Sequence, residues 1–186
     1  MRKILVPVGV FLLFASMVTY SQQPAPKYYL NISNAANPVK GEVVERRYRD
    51  WIKVISFEQG VAMNVATEGL SASKPDFQEL KIVKSVDLAS SALELICSKG
   101  EALEKVELVC LKAGSLGTYV EFYKITLENA RITSFKVKND AEELPVEEVA
   151  FSYKKIKWEY NSVEPDGTTG VSTQGGWDVI RNTQQK

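Results

Sequence analysis

Val146-Glu147-Glu148-Val149-Ala150-Phe151-Ser152-Tyr153-Lys154-Lys155-Ile156-Lys157-Trp158-Glu159-Tyr160 is the stretch that decides the fold. Its apolar residues alternate, as in a strand with a buried face, but they begin on odd positions (Val149, Phe151, Tyr153) and finish on even ones (Ile156, Trp158, Tyr160). Successive side chains of a strand point to opposite faces, so this change of parity turns the buried face over. No Pro or Gly accounts for it. The stretch therefore predicts a bulge, or a strand that leaves one sheet and joins a second, as strands do when they close a barrel.

Outward from there, period two dominates. Tyr28, Leu30 and Ile32 alternate with polar residues after a short Gln23-Pro24-Ala25-Pro26 linker. The next strand carries Trp51, Ile55 and Phe57 on one face and Ile52 and Val54 on the other. Leu80, Ile82 and Val86 alternate against Lys81 and Lys84, and Val106, Leu108 and Cys110 oppose Glu107, Val109 and Leu111. A hairpin at 114–117 leads into a long extended segment, 119–137, whose parity changes near Asn129 and predicts a bend. One helix is expected between Ser91 and Lys99: Ser91-Ala92-Leu93-Glu94 fits a capping box, Leu93, Ile96 and Cys97 share a face, and Gly100 suits the left-handed end. Residues 60–76 form a polar excursion long enough to imply a role in function or in contacting a partner. About six or seven strands and one short helix make a mainly β barrel or sandwich.

The chain has 186 residues, 45% of them hydrophobic, enough for one globular domain with a sizeable core. With 23 basic against 23 acidic residues it lacks the basic surface that nucleic-acid binding draws on, so no nucleic-acid partner is expected. There is no histidine, which removes Ser-His-Asp and Cys-His catalysis and His-liganded zinc, and two cysteines cannot build a Cys₄ site. No catalytic, cofactor-binding or metal residue is therefore assigned.

Arg2 and Lys3 precede an apolar run over 4–18, and Thr19-Tyr20-Ser21 offers small residues before Gln22. The run is shorter than the roughly 20 residues a spanning helix needs. Residues 1–21 read as a cleaved signal peptide, with an uncleaved anchor as the alternative, 22–26 as a linker and 27–186 as the domain. Export to the periplasm or beyond follows, with no membrane contact after cleavage. An oxidising compartment permits a Cys97–Cys110 disulfide; the competing reading is two buried thiols.

Other constellations have plain readings. Glu142, Glu143, Glu147 and Glu148 could supply paired carboxylates for sugar hydrolysis, but nothing marks one as buried, so a solvated loop and strand start is expected. Tyr119, Phe122, Tyr123, Phe135, Trp51 and Trp158 read as core rather than as a stacking platform. Lys112-Ala113-Gly114-Ser115-Leu116-Gly117 lacks the end of a phosphate loop. Trp177, after Gly175 and Gly176, is expected to dock against the barrel or to serve an interface.

The order of motifs resembles the hemolysin-coregulated protein (Hcp) family, the tube protein of bacterial type VI secretion systems. Asp50-Trp51-Ile52-Lys53-Val54-Ile55-Ser56-Phe57 is similar to its GWI-x-V-x-SF segment, with Asp50 where Gly is commoner. Lys84-Ser85-Val86-Asp87-Leu88-Ala89-Ser90-Ser91 is similar to its K-x-x-DKAS-P turn, with Leu88 for Lys and Ser91 for Pro. Ile132-Thr133-Ser134, the 145–153 and 156–160 segments and Gly176-Trp177-Asp178 follow in the family's order. The resemblance implies a closed two-sheet β-barrel with one flanking helix, assembled as a homo-oligomer of hexameric rings that stack into a tube. It further implies a contractile sheath, a valine-glycine-repeat spike protein and effector proteins as partners. It places Gly69 and Ser71 in a loop contacting the next ring and sets Glu147 toward an adjacent subunit. A structural assembly protein is thus the leading reading. An exported monomeric or dimeric binding module with the same fold is the second, favoured by the signal sequence, and an enzyme the third.

Overall fold

Tyr153 and Lys154, where the apolar parity turns over, separate two strands that serve different parts of one sheet. The computed structural model describes residues 24–33, 38–63, 74–114, 117–139, 144–164 and 167–185; the segment expected to be a signal peptide, 1–21, lies outside them. In chain order the elements are β1 (Lys27–Ser33), β2 (Ile52–Val54), β3 (Ser56–Glu58), β4 (Val61–Ala62), β5 (Asp76–Phe77), β6 (Leu80–Ser85), α1 (Ser90–Lys99), β7 (Ala102–Ala113), β8 (Tyr119–Lys138), β9 (Val146–Ser152), β10 (Lys155–Val163), β11 (Thr169–Asp178) and β12 (Thr183–Gln185). A 3₁₀ turn spans Arg46–Tyr48.

The long strand β8 organises the whole. It pairs with β7 along one side, while its other side meets β10 through Tyr123↔Tyr160 to Glu128↔Lys155 and then β9 through Arg131↔Ser152 to Lys138↔Val146. Between those two ladders stands Asn129, exposed and at φ 52°, a left-handed conformation that Asn adopts more readily than most residues. The bend expected there is the point at which β8 passes from one partner to the next.

The main path runs β12-β11-β10-β8-β7-β1-β2, with β9, β6 and β3 continuing from the far half of β8. A closed barrel is not what forms. The ladders end at β12 and β2 on the main path and at β3 on the branch, and no sheet among the described residues is closed by pairing. The expected single strand over Trp51 to Phe57 explains why: it breaks at Ile55, which is 49% exposed, so that β2 pairs with β1 and β3 with β6. A change of partner needs a change of direction, and the ladder is interrupted where it occurs.

Leu30, Ile52, Ile82, Leu108, Leu127 and Phe151 meet inside the curved sheet, where Leu93 and Ile96 of α1 cover them. A second cluster of Tyr29, Val43, Tyr48, Val109 and Leu111 lies where 39–51 folds across the outside of β1 and β7. Strands with apolar residues on both faces, such as β7, are those covered from both sides. Asp50 is at φ 64°, a backbone region that suits Gly.

The helix begins differently from its expected cap. Ser91 lies within the first turn and caps nothing. Instead the Asp87 carboxylate accepts the Ala89 N–H and the Ser90 hydroxyl accepts the Asp87 N–H, each at 2.9 Å, a reciprocal box one turn earlier. The other end is as expected: Gly100 at φ 60° lets its own N–H reach Cys97 O and the Glu101 N–H reach Ile96 O, a Schellman arrangement. Among the described residues no helix is long and apolar enough to cross a membrane.

Candidate assembly surface

Two features stand out around the residues that the sequence singles out: the root of the 60–76 excursion and a buried charge cluster beneath the start of α1. The excursion leaves through β4 and returns through β5, which pair at Val61↔Phe77 and Ala62↔Asp76. The Phe77 ring lies between two indoles, 6.2 Å from Trp158 at 21° and 6.3 Å from Trp177 at 27°. Such offset stacks add about 0.5–1.5 kcal/mol beyond area burial. Gln59 completes the root, accepting from Trp158 Nε1 at 3.3 Å and donating to the Tyr153 hydroxyl at 3.0 Å. That hydroxyl donates to Gln78 O at 2.8 Å, and burial pushes its pKa up to about 12, so it stays a donor at neutral pH.

Trp177 is therefore half-buried and docked against the domain, with its Nε1 enclosed and without a hydrogen-bond partner among the described residues. Of the two preceding glycines only Gly176 is closely packed: a Cβ there would stand 3.2 Å from Ile156 O and from Gln185 Cβ, whereas one on Gly175 would meet nothing within 4 Å. Gly69 and Ser71 lie outside the described residues.

The charge cluster is the feature that pattern reading missed. Lys84 is completely buried, sharing the inward parity of Leu80 and Ile82 rather than lying on the polar side with Lys81. Its Nζ contacts Glu147 Oε2 at 2.5 Å, Asp87 Oδ1 at 2.7 Å, Ser85 O at 2.8 Å and Ser90 Oγ at 3.2 Å. One ammonium thus joins β6, β9 and the helix start, and two carboxylates compensate its desolvation. Asp87 also accepts the Ala89 N–H in the turn that leads into α1. The signal was present: Leu80, Ile82 and Lys84 share one parity, and a Lys continuing an inward series needs an acid in reach.

Glu147, expected on a solvated strand start or toward an adjacent subunit, is 1% exposed and finds its cation within its own chain. Glu148 points the other way, binding Lys138 at 2.5 Å, which holds its carboxyl below the usual range. Consecutive strand residues face opposite sides, so these two are not a carboxylate pair flanking one cleft; Glu142 and Glu143 lie outside the described residues. Of the two readings of Cys97 and Cys110, a permitted disulfide or two thiols, the structure has the thiols. Both thiols are free, Cys97 on α1 and Cys110 buried in β7, where burial and then the Glu121 charge push the thiol pKa up to about 12. Tyr123, Phe135 and Trp158 pack on the main core, and Trp51 and Tyr119 on the second. Phe122 lies under the Lys112 ammonium. Among the described residues no group of three or more Cys, Asp or Glu is placed to hold a metal.

The N-terminal entry is also fastened. Glu45 accepts from Lys27 Nζ at 2.8 Å and from the Tyr29 hydroxyl at 2.6 Å, and these bonds lower its pKa to about 2. Lys27 lies 4.1 Å above the Tyr119 ring, whose hydroxyl donates to Ala25 O.

A family model described as "Type VI secretion system effector, Hcp" matches residues 29–160. This chain belongs to the Hcp family. The matched span holds β1 to most of β10, and with it Lys84, Asp87, Glu147 and the loop root. The major exported protein of Pseudomonas aeruginosa is 28% identical over 138 residues, 70% of this chain and 78% of that protein. A solved type six secretion system protein superposes with a TM-score of 0.78 at 23% identity, covering 87% of this chain and all of that one. Hcp1 from Salmonella typhimurium follows at 0.70 and 22%, with the same coverage. The two solved structures share the fold. Family membership makes the chain a type VI secretion tube subunit, and the family is one of structural tube proteins.

Proposed function

We propose that this Hcp-family chain works as six-membered rings that stack into the secretion tube, with the 60–76 excursion, Gly69 and Ser71 included, reaching the neighbouring ring. The match to the Hcp family over residues 29–160 carries this reading. The loop root supports it in physical terms: Phe77, where the chain returns to the domain, is stacked against both Trp158 and Trp177. Effector proteins ride in the ring lumen, a spike protein caps the tube and a sheath surrounds it. The chain is exported, as the name of its Pseudomonas aeruginosa relative says of that protein. Its signal, 1–21, is removed before the 27–186 domain assembles.

The test is the native mass of the protein purified as the cell makes it, with negative-stain images of the same sample. Six-fold rings are expected. A monomer at high concentration would overturn the tube reading and leave an exported binding module with the Hcp fold.

A further inference from the structure

Ala25 and Pro26, just after the first described residue, line an open groove of about 700 Å³. Val44, Ile55 and Val86 line it too, and they are 85%, 49% and 51% exposed. Leu88, 65% exposed, stands at the rim, its N–H donating at 3.1 Å to the carboxylate of Glu42, another lining residue. Scattered exposed apolar residues are ordinary, but three remote segments that present theirs to one groove mark a surface meant to be covered. The groove is formed in advance. Asp87, which also lines it, is held by the buried Lys84 ammonium at 2.7 Å. Where the chain enters, it is tied down: the Tyr119 hydroxyl donates to Ala25 O at 3.1 Å and Lys27 binds Glu45 at 2.8 Å.

The covering segment is upstream of that tie. Of the segments outside the described residues, only the one before Pro24 carries a long apolar run, 4–18. Val18 precedes Ala25 by seven positions, so even a fully extended chain keeps it within about 25 Å of the groove. A tethered segment also works at an effective concentration of roughly millimolar order, so a weak apolar contact suffices. We propose that residues 11–18, for as long as they stay attached, lie in the groove formed by Val44, Ile55 and Val86, so that removal of 1–21 uncovers this apolar surface. The consequence rests on the removal of the leader proposed above; the contact itself does not.

The test compares the full chain, 1–186, with its groove variant Val44→Asp/Val86→Asp and with a control of equal charge, Val171→Asp/Ile180→Asp, whose sites are exposed elsewhere. All four positions are half or more exposed, and thermal unfolding checks that each variant folds. A protease that cuts after Phe, Leu and Met is expected to cleave within 11–18 about tenfold faster in the groove variant, and at the wild-type rate in the control. The 86–88 amides should exchange more slowly in the full chain than in protein beginning at Gln22. Equal cleavage of wild type and groove variant, or equal exchange with and without the leader, would overturn the contact. So would protection that falls on dilution, which places the run in another copy, or protection gained only with phosphatidylethanolamine–phosphatidylglycerol vesicles, which places it in lipid. N-terminal sequencing of the protein as the cell makes it tests the leader separately: a start at Met1 would overturn its removal, and the cleavage rates would still decide the contact.

Discussion

Replacing Lys84 with methionine keeps the length of the side chain and removes its charge, leaving Glu147 and Asp87 as two carboxylates in a buried site with no cation. Glu147 has about 2% of its side chain exposed and Asp87 about 9%, so water cannot take over the four contacts that the ammonium supplies at 2.5 to 3.2 Å. Breaking a buried pair by removing one partner costs about 3–5 kcal/mol. A domain of this size has about 5–15 kcal/mol in total. At about 2–4 °C per kcal/mol the melting temperature should fall by roughly 6–20 °C. Urea unfolding followed by tryptophan fluorescence measures the loss, and a second variant separates charge from packing. Lys84→Met/Glu147→Leu removes both charged partners of the shortest contact, and it should recover more than half of what Lys84→Met alone loses. A loss below about 1 kcal/mol in the single variant would refute the reasoning, as would a double variant no more stable than the single one.

Alkylation at pH 8 should label Cys97 in the folded protein and leave Cys110 unmodified until denaturant is added, because the Cys110 thiol is buried and pushed up to about 12; two positions that stay unlabelled in denaturant and take the label only after reduction would contradict the free thiols. Phe77→Ala should free the loop root, giving faster proteolytic cleavage within 60–78 and a red shift of Trp158 and Trp177 emission with little change in global melting; unchanged cleavage would mean that the stack does not hold the loop. Glu45→Gln should destabilise at neutral pH by less than about 1 kcal/mol, since Lys27 and Glu45 are a third or more exposed. The folded pKa of Glu45, about 2, lies below its ordinary 4.5, so its contribution is complete above about 4.5 and is lost as pH falls through about 2. The difference between variant and wild type should shrink over that window in acid titrations, and a difference that grows would reverse the sign.

Particular residues show where the sequence was readable. Asn129 marked the bend in β8 because a parity change in an alternating strand has few physical causes, and a left-handed residue is one of them. The turnover at Tyr153 and Lys154 was visible for the same reason, and Gly100 ended α1 as its lack of a Cβ suggests. The start of α1 was misplaced because Ser90 and Ser91 both fit a local cap, and the choice depends on Asp87, which Lys84 holds from below. Ile55 looked like the middle of one strand because its break is imposed by two different partners, which local pattern does not record.

By itself the sequence determined the periodicities, and through them a β-rich chain with one helix, the bends in its long strands and membership of a family. These are local properties, set by which side chains alternate and where the backbone must turn. Only the tertiary structure decided that Lys84, Asp87 and Glu147 form one buried cluster, that Phe77 stacks on both Trp158 and Trp177, and that the sheet is not closed by pairing among the described residues. Lys84 and Glu147 are 63 positions apart, and Phe77 and Trp177 belong to strands that never pair. Their proximity follows from how the ladders of β8 divide between β9 and β10, a choice made by the whole core at once.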